Sequence, residues 1–225
     1  GMHRSGTSMT ARLLEQNGCF LGANQILDLV EASAMVLTND WILKQTNASW
    51  DQPEPWLSLP PKLKNYFSGY LGLFLEARWG HYVQPDRAEG LSHHQKCSIP
   101  WGWKDPRNSL TYVQWQKVFP QARFLHVYRN PVDVAWSLHR REVQRSKKMV
   151  EMTQKIGHAA VLQRVQQIGF SSRSFDLDGC FSLWKSYVSS CLNIDKALPK
   201  SPVLHVCYEE FLERPQEILP KILQF

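Results

Sequence analysis

Apolar residues recur at helical spacing through Met9, Leu13 and Leu14, and again through Val30, Ala34, Leu37 and Trp41. Each set draws an apolar stripe on a 3.6-residue period and predicts an amphipathic helix, with Glu31 at the head of the second. Three short apolar runs follow, each stopping at a polar residue: Ser98 to Trp103, Ala122 to Tyr128, and Val203 to Cys207. Runs of this length bounded by polar residues predict strands, and each leads into a helical pattern. Strands alternating with helices predict an α/β fold with a doubly wound parallel sheet and flanking helices, whose ligands bind outside the carboxyl ends of the strands. Lys104, Arg129 and Tyr208 each stand one residue past those ends.

The stretch from Asn47 to Trp101 has another character. It holds Trp50, Trp56, Trp79 and Trp101, several prolines and one helical pattern near Lys62 to Trp79, so it reads as a helix-and-loop insertion. Its tryptophans either pack irregularly in the core or stack on a sugar. With 225 residues, 43% of them hydrophobic, and no internal repeat, residues 1–225 form one domain. No apolar run is long enough to span a bilayer.

The 26 Lys and Arg against 20 Asp and Glu favour an anionic ligand without choosing among nucleotide, nucleic acid, acidic glycan and membrane surface. The cysteines Cys19, Cys97, Cys180, Cys191 and Cys207 lie far apart, without metal-ligand spacing, and read as free thiols of a reducing compartment, the alternative being one disulfide with a thiol left over. A cytoplasmic location follows, or the Golgi lumen if an N-terminal anchor has been lost. The first residue, Gly1, implies a missing true N-terminus.

The opening Gly1-Met2-His3-Arg4-Ser5-Gly6-Thr7-Ser8 has the glycine spacing and terminal hydroxyl of a Walker-type phosphate loop. Thr7 stands where a nucleoside triphosphatase carries its lysine, and Arg4 is the permanent charge of the loop, which disfavours triphosphate hydrolysis. The alternative for the loop alone is a glycine-rich turn capping a helix. At Trp103-Lys104-Asp105-Pro106-Arg107, Asp105 suits an N-cap and Pro106 a first helical position, predicting a helix from there through Leu110, Val113 and Val118. Lys104 then faces the same crevice as the loop, or else is a solvated lysine beside a capping aspartate, and Asp105 and Arg107 are assigned to capping alone. In Arg129-Asn130-Pro131-Val132-Asp133, Asn130, Pro131 and Asp133 are explained as a helix start, which leaves Arg129 and the later Ser137 free to address one phosphate.

Taken together, these motifs resemble the PAPS-dependent sulfotransferase family. The Arg-Ser-Gly-Thr-Ser loop is similar to its 5′-phosphosulfate loop, Lys-Asp-Pro to a segment of its tyrosylprotein and bacterial carbohydrate branches, and Arg129 with Ser137 to its 3′-phosphate signature. Val203 to Phe211 resembles its later strand, with Tyr208 at the place of an adenine-contacting tyrosine. The resemblance implies a P-loop fold whose first strand would precede Gly1, and a domain incomplete at both ends. It implies 3′-phosphoadenylyl sulfate (PAPS) as the donor, bound by Arg4, Ser5, Gly6, Thr7, Ser8, Arg129, Ser137 and Tyr208, with no metal. Arg4 and Lys104 would stabilise the charge developing on the leaving bisphosphate.

The acceptor is expected to be a hydroxyl, first of a carbohydrate, then of a protein tyrosine or small phenol. A base is required, and His3, Glu15, Asp28, Glu31 and His126 are the candidates. Glu15 is expected to face solvent and His126 to pack inside a strand, while Glu31 resembles the glutamate of the matching helix in the family. Two readings compete: a P-loop nucleotide kinase, disfavoured by Thr7, and a non-catalytic domain for nucleic acid or glycan using Arg140, Arg141, Arg145, Lys147 and Lys148. That basic cluster is otherwise a solvated helix face.

Overall fold

A computed structural model describes residues 1–26, 29–83, 99–156 and 171–225. The chain runs α1 (Thr7–Gln16), β1 (Gln25–Ile26), β2 (Glu31–Ala32), α2 (Ser33–Lys44), α3 (Glu54–Leu57), α4 (Pro61–Val83), α5 (Asn108–Val118), β3 (Phe124–Tyr128) and α6 (Pro131–Ile156). After a 3-10 turn at Ser172–Phe175 come α7 (Leu177–Leu192), α8 (Ile194–Ala197), β4 (Val203–Cys207), α9 (Tyr208–Glu213) and α10 (Pro215–Gln224). The fold is mixed α/β and mostly helical.

Its sheet is smaller than the alternation of strands and helices predicts. Among the described residues, β3 and β4 pair in parallel, with Phe124 opposite Val203 and Tyr128 opposite Cys207, and β1 and β2 form a separate antiparallel pair. The run expected as a strand to Trp103 begins outside the described residues, and from Ile99 onward it makes one parallel bridge, Phe20 to Trp101. Phe20 N donates to Pro100 O and Gly102 N to Phe20 O, both at 2.9 Å. Pro100 has no N–H to extend the ladder, and Gly102 contributes no side chain to hold one.

The helices bear out the periodicity, with one rotation. Leu37 of α2 is 55% exposed, whereas Ala34, Met35, Thr38, Asn39, Ile42 and Leu43 are buried, so the inward stripe includes two polar residues. The helix read near Lys62 to Trp79 extends over all of α4, and its Leu71, Leu75, Trp79 and Tyr82 face inward. They join Ile42, Trp56, Trp115, Leu138 and Tyr187 in the main core. A smaller core forms around Val127, Val206, Phe211 and Ile222, against which Met9, Leu13 and Leu14 of α1 pack. Trp56 and Trp79 are core residues, and Trp101 packs among Trp79, Tyr82, Trp103 and Phe119. Of the four tryptophans from Trp50 to Trp101, only Trp50 stands beside the phosphate loop.

Cys180 and Cys191 are buried free thiols, and Cys19 and Cys207 are half-buried free thiols. Cys97 lies outside the described residues. Among the described residues no helix is long and apolar enough to cross a membrane.

In the parallel pair, His126 sits opposite His205, with their Nδ1 atoms 2.9 Å apart, while His205 Nε2 meets Asp195 Oδ2 at 2.9 Å. His126 is 2% exposed, and burial first, then the neighbouring His205, push its pKa down to about 2. The unfolded chain therefore takes up a proton near pH 6.5 that the folded chain refuses. Stability is complete above that value and falls as pH drops below it, by about 1.4 kcal/mol per pH unit from this group. Denaturant titrations from pH 7 to pH 5 should show that loss, and His126→Asn should flatten it.

Candidate functional site

The opening loop is held from beneath. Met2 is fully buried in the main core, a burial worth about 1.5–3 kcal/mol, and Ser5 is fully buried beside it. Gly1 lies so close to the Val127 carbonyl of β3 that no side chain would fit. Arg4 and Gly6 take left-handed backbone, with φ of 69° and 84°, which turns the chain into α1. Gly6 is the N-cap of α1, and no side chain caps that end and no acid lies in its first turn. Its first amides are thus left to face an anion, with the helix dipole behind them.

Two groups of side chains gather at this loop. On one side, Arg4 Nε donates to Ser137 Oγ at 2.8 Å, and Arg129 Nη1 reaches Arg4 O at 3.5 Å. Arg129 Nη2 also donates to Asp133 Oδ2 at 3.2 Å, and the guanidinium stands 4.8 Å from the Tyr208 ring centroid. That ring lies against Gly6 and occupies the space a Cβ there would need. Glycine is therefore demanded at position 6 by both its φ and its neighbour. Asn130 Oδ1 accepts from Val132 N at 2.9 Å, the helix cap expected from sequence.

On the other side, Lys104 Nζ donates to Glu31 Oε1 at 2.7 Å and to Ser8 Oγ at 3.2 Å, while Ser8 Oγ donates to Leu29 O at 3.0 Å. The Lys104 and Glu31 side chains are 12% and 6% exposed, which corrects the reading of a solvated lysine. Burial pushes the Glu31 pKa up and the Lys104 pKa down, and each charge opposes the other's shift. Glu31 belongs to β2 rather than to the first turn of α2, so the helix dipole does not account for its place.

Asp105 and Arg107 do more than cap. Helix α5 begins at Asn108, two residues later than expected, because Asn108 N, Ser109 N and Leu110 N bond three residues back in a tight lead-in turn. Asp105 Oδ1 does accept from Arg107 N, at 2.9 Å, but both residues are buried, at 4% and 7% exposed. Arg107 Nε donates to both Asp105 oxygens, at 2.8 and 3.1 Å, and Nη1 pairs with Asp40. Behind them, fully buried Asn39 donates to Asp105 Oδ2 and Asn108 Oδ1 and accepts from Thr111 Oγ1 and Trp115 Nε1. These residues were missed from sequence. The available signal was a polar Thr38-Asn39 pair on a helix face that must be buried.

Among the other base candidates, Glu15 is exposed and bonded to Gln25, and His126 is in the sheet, both as expected. Asp28 lies outside the described residues. His3 packs edge-on against Trp50, centroids 5.0 Å apart, and burial with Arg141, Arg107 and Lys104 nearby keeps it neutral. Of the basic helix face, Arg140, Lys147 and Lys148 are exposed, but Arg141 turns inward over Trp50, and both Arg141 and Arg145 pair with fully buried Glu142.

Polar atoms without a hydrogen-bond partner cluster at the loop: Ser5 Oγ, His3 Nε2 and Arg129 Nε are all buried. Unpaired donors around an uncapped helix N-terminus suit a ligand with several anionic oxygens. A cavity of about 120 Å³ beneath the loop, between Thr10 and Leu14 of α1, Trp103 and Val127, is too small for a nucleotide and is not that site.

Comparison with protein-family models matches the chain to the sulfotransferase family over residues 1–225. No curated protein and no solved structure matches it.

Proposed function

Because the chain belongs to the sulfotransferase family, we propose that it moves a sulfonate group from PAPS to an acceptor hydroxyl at the loop between Arg4 and Ser8. The convergence of Arg4, Arg129 and Ser137 on one side of an uncapped helix N-terminus, with Lys104 and Glu31 on the other, carries this reading. The first group suits the phosphates of the nucleotide, and Ser5, Gly6, Thr7 and Ser8 supply loop donors. Tyr208, at the edge of the loop, supports the adenine. The second group suits the transferring sulfonate.

In that arrangement the acceptor oxygen attacks sulfur, a new S–O bond forms, and the bond from sulfur to the bridging phosphate oxygen breaks. The departing 3′,5′-bisphosphoadenosine keeps the electron pair, and Lys104 and Arg4 stabilise the charge that grows on it. Glu31 accepts the acceptor's proton. A sugar hydroxyl is the first acceptor class. Its support narrows to Trp50, which packs against the main core but also meets His3 of the loop.

Calorimetry tests the donor assignment. The protein should bind 3′,5′-bisphosphoadenosine more tightly than AMP by about 1.5–3 kcal/mol, the worth of hydrogen bonds to a charged group. Arg129→Ala should remove most of that difference, whereas equal affinities in the unaltered protein would refute the 3′-phosphate site.

A further inference from the structure

We infer that Arg107, aimed by Asp40 and Asp105, is a positioning residue that holds Glu31 ionised with one carboxylate oxygen open to the acceptor. The inference rests on the reading of Glu31 as the base. Lys104 occupies Glu31 Oε1, at 2.7 Å. Arg107 Nη2 stands 3.9 Å from Oε2, near enough to act through charge but too far to hydrogen-bond. Oε2 is thus the oxygen left to receive a proton.

The guanidinium cannot swing away from this position. Its Nε is fixed on both oxygens of Asp105, and its Nη1 on Asp40. Asp105 is itself fixed by Asn39 Nδ2 at 2.8 Å and by the Arg107 backbone N–H at 2.9 Å. Two of the three guanidinium nitrogens are therefore held by carboxylates anchored in α2 and the turn before α5, and the remaining one faces Glu31. A planar fork can be aimed in this way, and a lysine ammonium cannot.

The charges near Glu31 are Lys104 and Arg107 on the positive side and Asp105 and Asp40 on the negative. Three carboxylates face two cations, so the ionisation of Glu31 depends on how much of the Arg107 charge is already engaged by Asp40. Asp40 is 35% exposed at its side chain, and its alteration leaves the core untouched. Removing its charge leaves more of the Arg107 field for Glu31, while removing Arg107 withdraws that field.

The experiment follows kcat/KM for the acceptor against pH at saturating PAPS. Glu31→Gln comes first: if it keeps full turnover, the base reading fails and the inference falls with it. If it collapses, Asp40→Asn should move the acid limb to lower pH and Arg107→Met should move it to higher pH by about one unit. KM for PAPS should stay within threefold in both. Arg107→Lys, which keeps the charge and loses the fork, should leave the limb in place while kcat falls about tenfold. A limb unmoved in Asp40→Asn and in Arg107→Met would overturn the inference while leaving Glu31 as the base. Should Arg107→Met fail to fold, the direction of the Asp40→Asn shift decides alone.

Discussion

Lys104→Ala lowers sulfonate transfer by a hundredfold or more while the affinity for 3′,5′-bisphosphoadenosine changes by only a few-fold. The expectation follows from where Nζ sits: it is 3.2 Å from Ser8 Oγ at the start of α1, whereas Arg129 and Ser137 meet the loop at Arg4. A cation held there acts on charge that appears as the S–O bond to the leaving phosphate breaks, and loss of such a preorganised donor typically costs about 10²–10³ in rate. The substitution also removes the close partner of buried Glu31 and leaves it with Arg107 at 3.9 Å, which lowers stability. Denaturant titration of Lys104→Ala measures that loss separately from turnover. Single-turnover rates and calorimetry on the same samples provide the check. Near-normal turnover in Lys104→Ala would remove this lysine from the mechanism.

Glu31→Gln produces the second large effect. Glutamine keeps the shape and can still accept from Lys104, but it cannot take a proton from the acceptor. General base catalysis is worth about 10²–10⁴, so turnover should collapse by at least a hundredfold, with bisphosphate affinity within a few-fold of normal. An acceptor that is already ionised at assay pH should recover much of the rate, because it brings no proton to remove. If turnover persists with an un-ionised acceptor, another group is the base.

Much of this site was legible in the sequence because its parts are local. The spacing of Gly1, Gly6 and Ser8, the Asn130-Pro131 cap and the polar residues at strand ends are set by neighbours a few positions away, and all of them fall at the loop or at the β3 and β4 termini. What escaped was non-local. Helix periodicity put Leu37 inside because it scored apolar residues, whereas the inner face of α2 carries Thr38, which bonds Ala34 O and Arg78, and Asn39, whose partners lie on α5 and the turn before it, some 70 positions away. Asp105 and Arg107 looked like a helix cap because that role needs only adjacent residues. Their second role depends on Asp40 and Asn39. The strand expected before Lys104 failed for a similar reason: its apolar content was suitable, but Pro100 and Gly102 could not sustain a ladder.

Asn39 has a consequence for how this protein can change. Its amide oxygen accepts two hydrogen bonds and its amide nitrogen donates two, which is its whole capacity, and the four partners lie on α5 and on the turn before it. Leucine at this position would orphan Trp115 Nε1 and take one partner each from Asp105, Asn108 and Thr111, and aspartate would set a second carboxylate against Asp105. The same side chain fixes Trp115 in the core and Asp105 in the charge cluster that reaches Glu31 through Arg107. A change at Asn39 bears at once on the packing of Trp115 and on the placing of Asp105.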